Sequence, residues 1–470
     1  MDLVHSKARR GVTSVLAMMY LVLFSSLAIG FYAATTTSVQ IVGNEERNVQ
    51  ALLAAESGFD FFRHHLASLD IQPPDVAPPI VRWNEVVTQL AQRLENTSNV
   101  ATIGVSGDTM RVPEQGWVIL PNASGQFYAT LRFLGQTLHL KVVGRYAGVS
   151  TDRAIDVDFD VVPKDSMIFN FGIASRGAVY TGGSSVIKGL TDPKKGSILS
   201  TSTAVNPVRI DGKLVSGDIS ITSTTGNVIF GSGTSIGGTT DPVEIRSNHI
   251  HTGVTSPDFP KVTAVPFMPY VTNPDGTLRY YGGESTPTNV VIKAGTNPTF
   301  SGVTVNGVLY IEAPNVVTFS GNTTINGVII GEQDAPDANG DGIPDANLVS
   351  NILDFKGTIN AKGVETLDPA VYGDLTKLTG SFILAPEFRT NFSGDFGTIA
   401  GSIISGQVSM TGNAGGTVIG SIIQTTPASS TVNGSGAITI ASTGTTNYPA
   451  GVHFGTIYLP LGDTYKEGKP

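Results

Sequence analysis

Cysteine is absent from all 470 residues, which excludes disulfides, thiolate metal sites and a cysteine nucleophile. An exported chain without disulfides is held by its core or by ions. Charge is also scarce. Asp, Glu, Lys and Arg make up 14% of the chain, against about 25% in average proteins. The balance is acidic, 38 Asp+Glu against 29 Lys+Arg for a net charge of −9. That argues against nucleic-acid binding, which depends on a basic surface. No HExxH zinc-protease string occurs.

Charge disappears altogether from Gly11 to Asn44. The most apolar part is the 23 residues Val12–Ala34. As a helix rising about 1.5 Å per residue it would extend roughly 35 Å, enough to cross a bilayer. Lys7, Arg9 and Arg10 precede it, so the positive-inside rule places Met1–Arg10 in the cytoplasm and the chain beyond about Thr35 outside. From Glu45 to Leu69 the pattern becomes amphipathic. Val49, Leu52, Leu53, Phe59, Phe62, Leu66 and Leu69 recur at steps suited to one apolar stripe. Val12–Leu69 therefore predicts one rod of roughly 87 Å, with weak points at Gly30, Gly43 and Gly58.

A basic leader ending in glycine (Lys7-Ala8-Arg9-Arg10-Gly11), the apolar helix and then Ala54-Ala55-Glu56-Ser57-Gly58 resemble the N-terminus of type IV pilin-like proteins. The PilX-type minor pilins and the K-type pseudopilins of general secretion are the closest in pattern. The resemblance covers roughly the first 165 residues. It implies that a prepilin peptidase cuts between Gly11 and Val12 and that the exposed helix packs into a fibre with pilin-like or secretion-system subunits. Major pilins carry a glutamate five residues after the cut. Here that residue is Leu16, which the resemblance associates with minor, tip or initiating subunits. The alternative is an uncleaved signal anchor continued by an ordinary juxtamembrane helix.

A Pro-rich linker at 71–80 interrupts the helical pattern. It resumes over Trp83–Glu95, with Asn84 as N-cap. Period-two alternation then predicts antiparallel strands at Trp117–Leu120, Phe127–Phe133, Thr137–Tyr146 and Arg153–Val162, with a tight hairpin at Gly135-Gln136. The resemblance implies that these form a small α+β head on the long helix. Asp156, Asp158 and Asp160 share one strand face. They read as a solvated face, with a cation site as the rarer alternative.

From Met167 the texture becomes glycine-punctuated. Thr299–Ile311 (TFSGVTVNGVLYI) and Thr318–Ile330 (TFSGNTTINGVII) are near copies, and Asp354–Val364 is a third. Gly380, Gly401 and Gly420 keep the same beat of about 20 residues, and Ala178–Gly189 and Asn227–Gly238 are weaker copies. Leucines at fixed offsets are missing, which removes leucine-rich repeats. The expected fold is mainly β: a right-handed parallel β-helix (solenoid), preceded by the transmembrane, pilin-like long helix and the antiparallel α+β head. The expected divisions are a cytoplasmic leader at 1–11, the helix at 12–69, the head at 70–165, the β-helix at 166–447 and a C-terminal tail at 448–470 covering the last repeat.

Two inserts break the beat, at about 248–287 and 331–350. The first opens with His249-Ile250-His251. Two histidines two apart can chelate a metal, but no third ligand lies nearby in sequence. The second contains Asp337, Asn339, Asp341, the Ile343 carbonyl and Asp345, with Gly342 at the sixth position. This matches the first nine positions of an EF-hand-type Ca2+ loop and resembles dockerin and thrombospondin type 3 loops. Leu348 stands where the bidentate glutamate would be; the alternative is an acidic turn.

These features predict a non-catalytic cell-envelope or surface structural protein: a pilin-like minor subunit or a membrane-anchored adhesin displaying a rod. Its partners would be the membrane, pilin-like or secretion-system subunits and cell-surface polysaccharide. It would span the cytoplasmic membrane once, with the bulk in the periplasm or at the cell surface. The alternative is an extracellular β-helix enzyme that binds or degrades polysaccharide as a lyase or hydrolase. Asp211, Asp218, Glu244, Asp354 and Asp395 are its available acids, and they do not recur on successive repeats.

Overall fold

The computed structural model describes residues 8–72, 77–97, 99–121, 125–146, 151–164, 166–189, 191–333, 335–338, 343–434, 438–442 and 448–470. The chain is mainly β with a long N-terminal helix, and it divides into two compact units, 1–163 with 455–470 and 164–454.

In the first unit the opening helix runs unbroken over Ala8–Ala67, 60 residues. Its residues 13–42 are exposed, and the helix is long and apolar enough to cross a membrane. The buried stripe differs from the expected one. Phe62, Leu66 and Leu69 are buried, but Val49 and Leu53 face solvent, and Ala51, Ala54 and Ala55 take the contact instead. Size is the reason. A Cβ on Gly144 would lie 2.2 Å from the Ala55 nitrogen, and one on Gly58 would lie 2.6 Å from Val142. Helix and sheet therefore meet nearly backbone to backbone, where Leu or Val would not fit.

The second helix is Pro79–Leu94. It starts four residues before the expected Trp83, because Pro79 at its first position has φ preset and no N–H to satisfy. Asn84 lies inside the helix and caps nothing. The sheet carries Thr109–Val112, Gly125–Leu134, Thr137–Tyr146 and Asp152–Pro163 as antiparallel neighbours. Gly135, at φ +82°, turns the hairpin. On the far side of Asp152–Pro163 lie Thr456–Pro460 and Lys466–Gly468. From Thr456 the chain thus completes the head sheet, whereas Val452 and Phe454 pack with Ile423 of the repeat unit. Tyr458 alternates inward and joins the core with Phe62, Trp83 and Phe159, which supplies the apolar burial that holds the strand there.

The second unit is built on a 24-stranded sheet whose pairings are all parallel. The copies seen in sequence pair as expected: Phe300 opposite Phe319, Gly307 opposite Gly327 and Phe319 opposite Phe355. Their rings stack, with centroids 5.4 Å apart for Phe300–Phe319, 4.7 Å for Phe319–Phe355 and 4.6 Å for Phe355–Phe392.

The order of the stack is not the order of the chain. The first repeat comprises Phe171–Ser175, Val179–Thr181 and Val186–Gly189. On one side it pairs with the next repeat, Ser197–Ser200, Val208–Ile210 and Leu214–Val215. On its other side it pairs with the last repeat, Ile422–Gln424, Ser430–Val432 and Ile438–Ser442. The chain therefore enters this stack in the middle. It builds to one end at Ile250–Thr252, crosses to the other end, and returns from Thr288–Ile292 to the entry point.

One run of isoleucines passes in register across eight strands of the stack: Ile329, Ile383, Ile403, Ile422, Ile173, Ile198, Ile219 and Ile250. A second, outward ladder contains Ile330, Leu384, Ile404, Ile423, Ala174 and Leu199. Phe267 and Val271 of the 248–287 insert cover it, so that insert is draped over the sheet and removes apolar surface from water.

Candidate functional site

Gly11 and Val12 both lie within the first helix, whose backbone is continuous from Ala8. The Ala54–Gly58 motif has a physical role of its own, the close helix–sheet contact described above.

Of the candidate calcium-loop residues, Asp337, Ile343 and Asp345 are described, whereas Asn339 and Asp341 lie outside the described residues. The base of the loop is closed on itself. The Asp345 N–H donates to the Pro336 carbonyl at 2.9 Å, and Asp345 Oδ2 accepts from the Ala338 N–H at 3.0 Å. The buried Glu387 accepts from the Ala335 N–H at 3.0 Å, which ties the insert to the strand Ser381–Phe392.

The Asp156, Asp158 and Asp160 row lies on an interior strand of the head sheet, not at its edge. His139, on the neighbouring strand, contacts Asp158 at 2.7 Å through Nδ1 and Asp156 at 3.3 Å through Nε2. Asp160 accepts from the Val161 N–H. Cross-strand pairing accounts for the row without a cation.

The acids of the repeat region are mostly engaged one by one. Asp211 pairs with Arg209 at 2.7 Å and Asp354 with Lys356 at 2.9 Å. Glu244 accepts from the Thr239 hydroxyl, and Asp395 from the Gly397 N–H. Gly233-Thr234-Ser235-Ile236-Gly237 spells the G-x-S-x-G of serine hydrolases. However, Ser235 sits in the two-residue strand Ser235–Ile236 of the parallel sheet, and no strand-to-helix elbow follows it.

Asp218, in sequence one of five scattered acids, is set apart by its histidine partners. It precedes the strand Ile219–Ile221, which pairs with Ile250–Thr252. This brings it to His249 Nδ1 at 2.7 Å and His251 Nε2 at 3.4 Å. A sequence separation of 31 residues hid the contact; the only signal was the repeat register.

No family model matches the chain. No curated protein matches it. Among solved structures, the competence-associated pilin ComZ from Thermus thermophilus is similar at 11% identity, over 90% of this chain and 98% of that one, with a TM-score of 0.23.

Proposed function

We propose that this chain is a non-catalytic structural protein of the cell envelope or surface, a pilin-like minor subunit or membrane-anchored adhesin that displays a right-handed parallel β-helix as a rod. The observation that carries the reading is one of topology. A stack of parallel repeats is inserted between two neighbouring strands, Asp152–Pro163 and Thr456–Pro460, of a sheet built on a 60-residue helix with an exposed apolar half. Such a helix has to be covered by lipid or by other subunits.

In this reading the helix is cut between Gly11 and Val12 and partners the membrane and then pilin-like or secretion-system subunits. The repeats stand outside the cytoplasmic membrane, where cell-surface polysaccharide is available to bind. Asp337, Asn339, Asp341, the Ile343 carbonyl and Asp345 hold Ca2+ as a structural ion on the lateral insert. Separate, locally engaged acids favour this role over a polysaccharide lyase or hydrolase, which needs two carboxylates facing one cleft.

The test is protease treatment of intact cells producing the full chain, together with an assay of purified protein on the host's surface polysaccharide. Removal of 164–454 from outside without polysaccharide cleavage supports the proposal. Full protection of the repeats both in intact cells and in spheroplasts, or depolymerisation, overturns it.

A further inference from the structure

We propose that residues 258–271 form a strap that opens under tension and uncovers the outward apolar ladder when the repeats are pulled away from the head strands. The device responds to any load on the two connectors between the units. It does not depend on the calcium loop, on leader cleavage or on the envelope role proposed above.

The strap lies within the 248–287 insert. Phe267 and Val271 are fully buried and share one cluster with Leu384, Ile404 and Ile423 of the outward ladder. The chain entering and leaving the repeat unit clamps the strap in place. On the exit side, Val452 and His453 pair antiparallel with Val262 and Lys261. The Thr263 N–H donates to the Gly451 carbonyl at 2.8 Å. On the entry side, the Ser166 hydroxyl donates to the Asp258 carbonyl at 2.7 Å, and Lys164 Nζ lies 3.9 Å from the Asp258 carboxylate. Entry and exit are also joined to each other. The Ser166 N–H donates to the Tyr448 hydroxyl at 3.0 Å, and Tyr448 packs on Phe454 and Phe169 with ring centroids 4.7 and 5.9 Å away.

Gly451 sets how closely the clamp fits. Its φ is +77°, and a Cβ there would lie 2.6 Å from the Phe267 ring and 2.8 Å from Leu384. The exit backbone therefore closes over Phe267 and the ladder at once, an approach that glycine alone permits. Withdrawing this segment removes one wall of the Phe267 site.

The connectors carry the load. Lys164 directly follows Pro163, and Phe454 lies two residues before Thr456. Pro163 and Thr456 are register partners in the head sheet, so a pull between head and repeats reaches Lys164 and Phe454 before it reaches the stack. Among elements loaded in series, the one with the least pairing opens first. The head-side strand Thr456–Pro460 is five residues long and the stack strand Thr304–Ile311 eight. The strap strand Lys261–Val262 and its partner Val452–His453 are two residues each. The clamp is thus the element that yields, while the repeats stay folded.

The experiment stretches the full-length protein in detergent between handles clicked to unnatural residues at Ile119 in the head and Val205 in the repeats, both exposed. The lock is Lys261→Cys/His453→Cys. These are antiparallel register partners within disulfide range, in a chain with no other cysteine. Val262→Cys/Val452→Cys is a second lock if the first variant does not fold. We expect a reversible first step of at most about 25 Å, the extended length of residues 164–170, ahead of all other unfolding. Oxidation of the lock should abolish that step, and reductant should restore it. Separately, Leu384→Cys, or Ala174→Cys if the former does not fold, should react with a maleimide dye during a low-force hold and not at rest. Absence of the early step in wild type, an unchanged step in the oxidised lock, or labelling that load does not alter overturns the strap.

Discussion

The Ser421 hydroxyl donates to the carbonyl of Phe171, 2.8 Å away in space and 250 residues away in the chain. This bond lies at the seam where the last repeat meets the first, and the ladders of isoleucine cross it without interruption. The stack is thereby split in sequence but continuous in packing, and its two chain ends emerge from its middle.

The seam can be trapped covalently, because a chain with no cysteine has no competing thiols. Tyr180 is the register partner of Thr431, and neighbouring strands about 4.8 Å apart fall within disulfide range. The variant Tyr180→Cys/Thr431→Cys should oxidise to an intramolecular disulfide, seen as a mobility shift reversed by reductant. The pair Tyr180→Cys/Ile229→Cys spans two steps of the stack and should not.

Phe319 stacks on Phe300 and Phe355 inside the repeat core. Replacing it by alanine removes both ring contacts and leaves a cavity, so Phe319→Ala should cost about 3–5 kcal/mol. The denaturation midpoint of the repeat unit reads this directly. Val349→Ala, at an exposed position, should change stability by less than about 0.5 kcal/mol.

Burial pushes the Tyr458 hydroxyl up to about 12; Arg82 pulls the other way, and Glu85 and Asp160 add to the rise. In the unfolded chain the same group titrates near about 10. Below pH 10 both states keep the proton, and the stabilising difference is fully present. As pH rises from 10 to 12 the unfolded state loses its proton first, so stability falls by up to about 1.4 kcal/mol per pH unit. Tyr458→Phe should flatten this alkaline loss in a series of urea melts, with little effect at neutral pH, since the hydroxyl has no hydrogen-bond partner among the described residues.

For the 331–350 insert, the proposed Ca2+ site lacks a twelfth-position glutamate. Affinity should therefore fall in the range of about 10⁻⁴–10⁻³ M found for extracellular modules. Calcium should protect the insert from limited proteolysis, and chelator or Asp341→Ala should remove that protection. Identical cleavage in all samples contradicts the site.

Periodicity made much of the fold legible. The spacing of Phe300, Phe319 and Phe355 announces parallel neighbours, and Gly135-Gln136 announces a hairpin. The seam was not legible, because Ile173 and Ile422 are the same residue in the same phase as every other member of their ladder. Nothing local distinguishes neighbours in the chain from neighbours in the stack. The stripe on the first helix misled for a different reason. Hydropathy ranks Val49 and Leu53 above Ala51 and Ala55, but the close approach of Gly144 selects for size. The partners of Asp218 escaped because they arrive only through register.

The pilin-like reading rests most on the fate of the basic leader. Intact mass and N-terminal sequencing of the full-length protein, recovered from the membranes of cells with and without an active prepilin peptidase, examine it directly. The account predicts a chain beginning at Val12 only where the peptidase is active. A chain that retains Met1 in both cells would contradict it and leave a signal anchor.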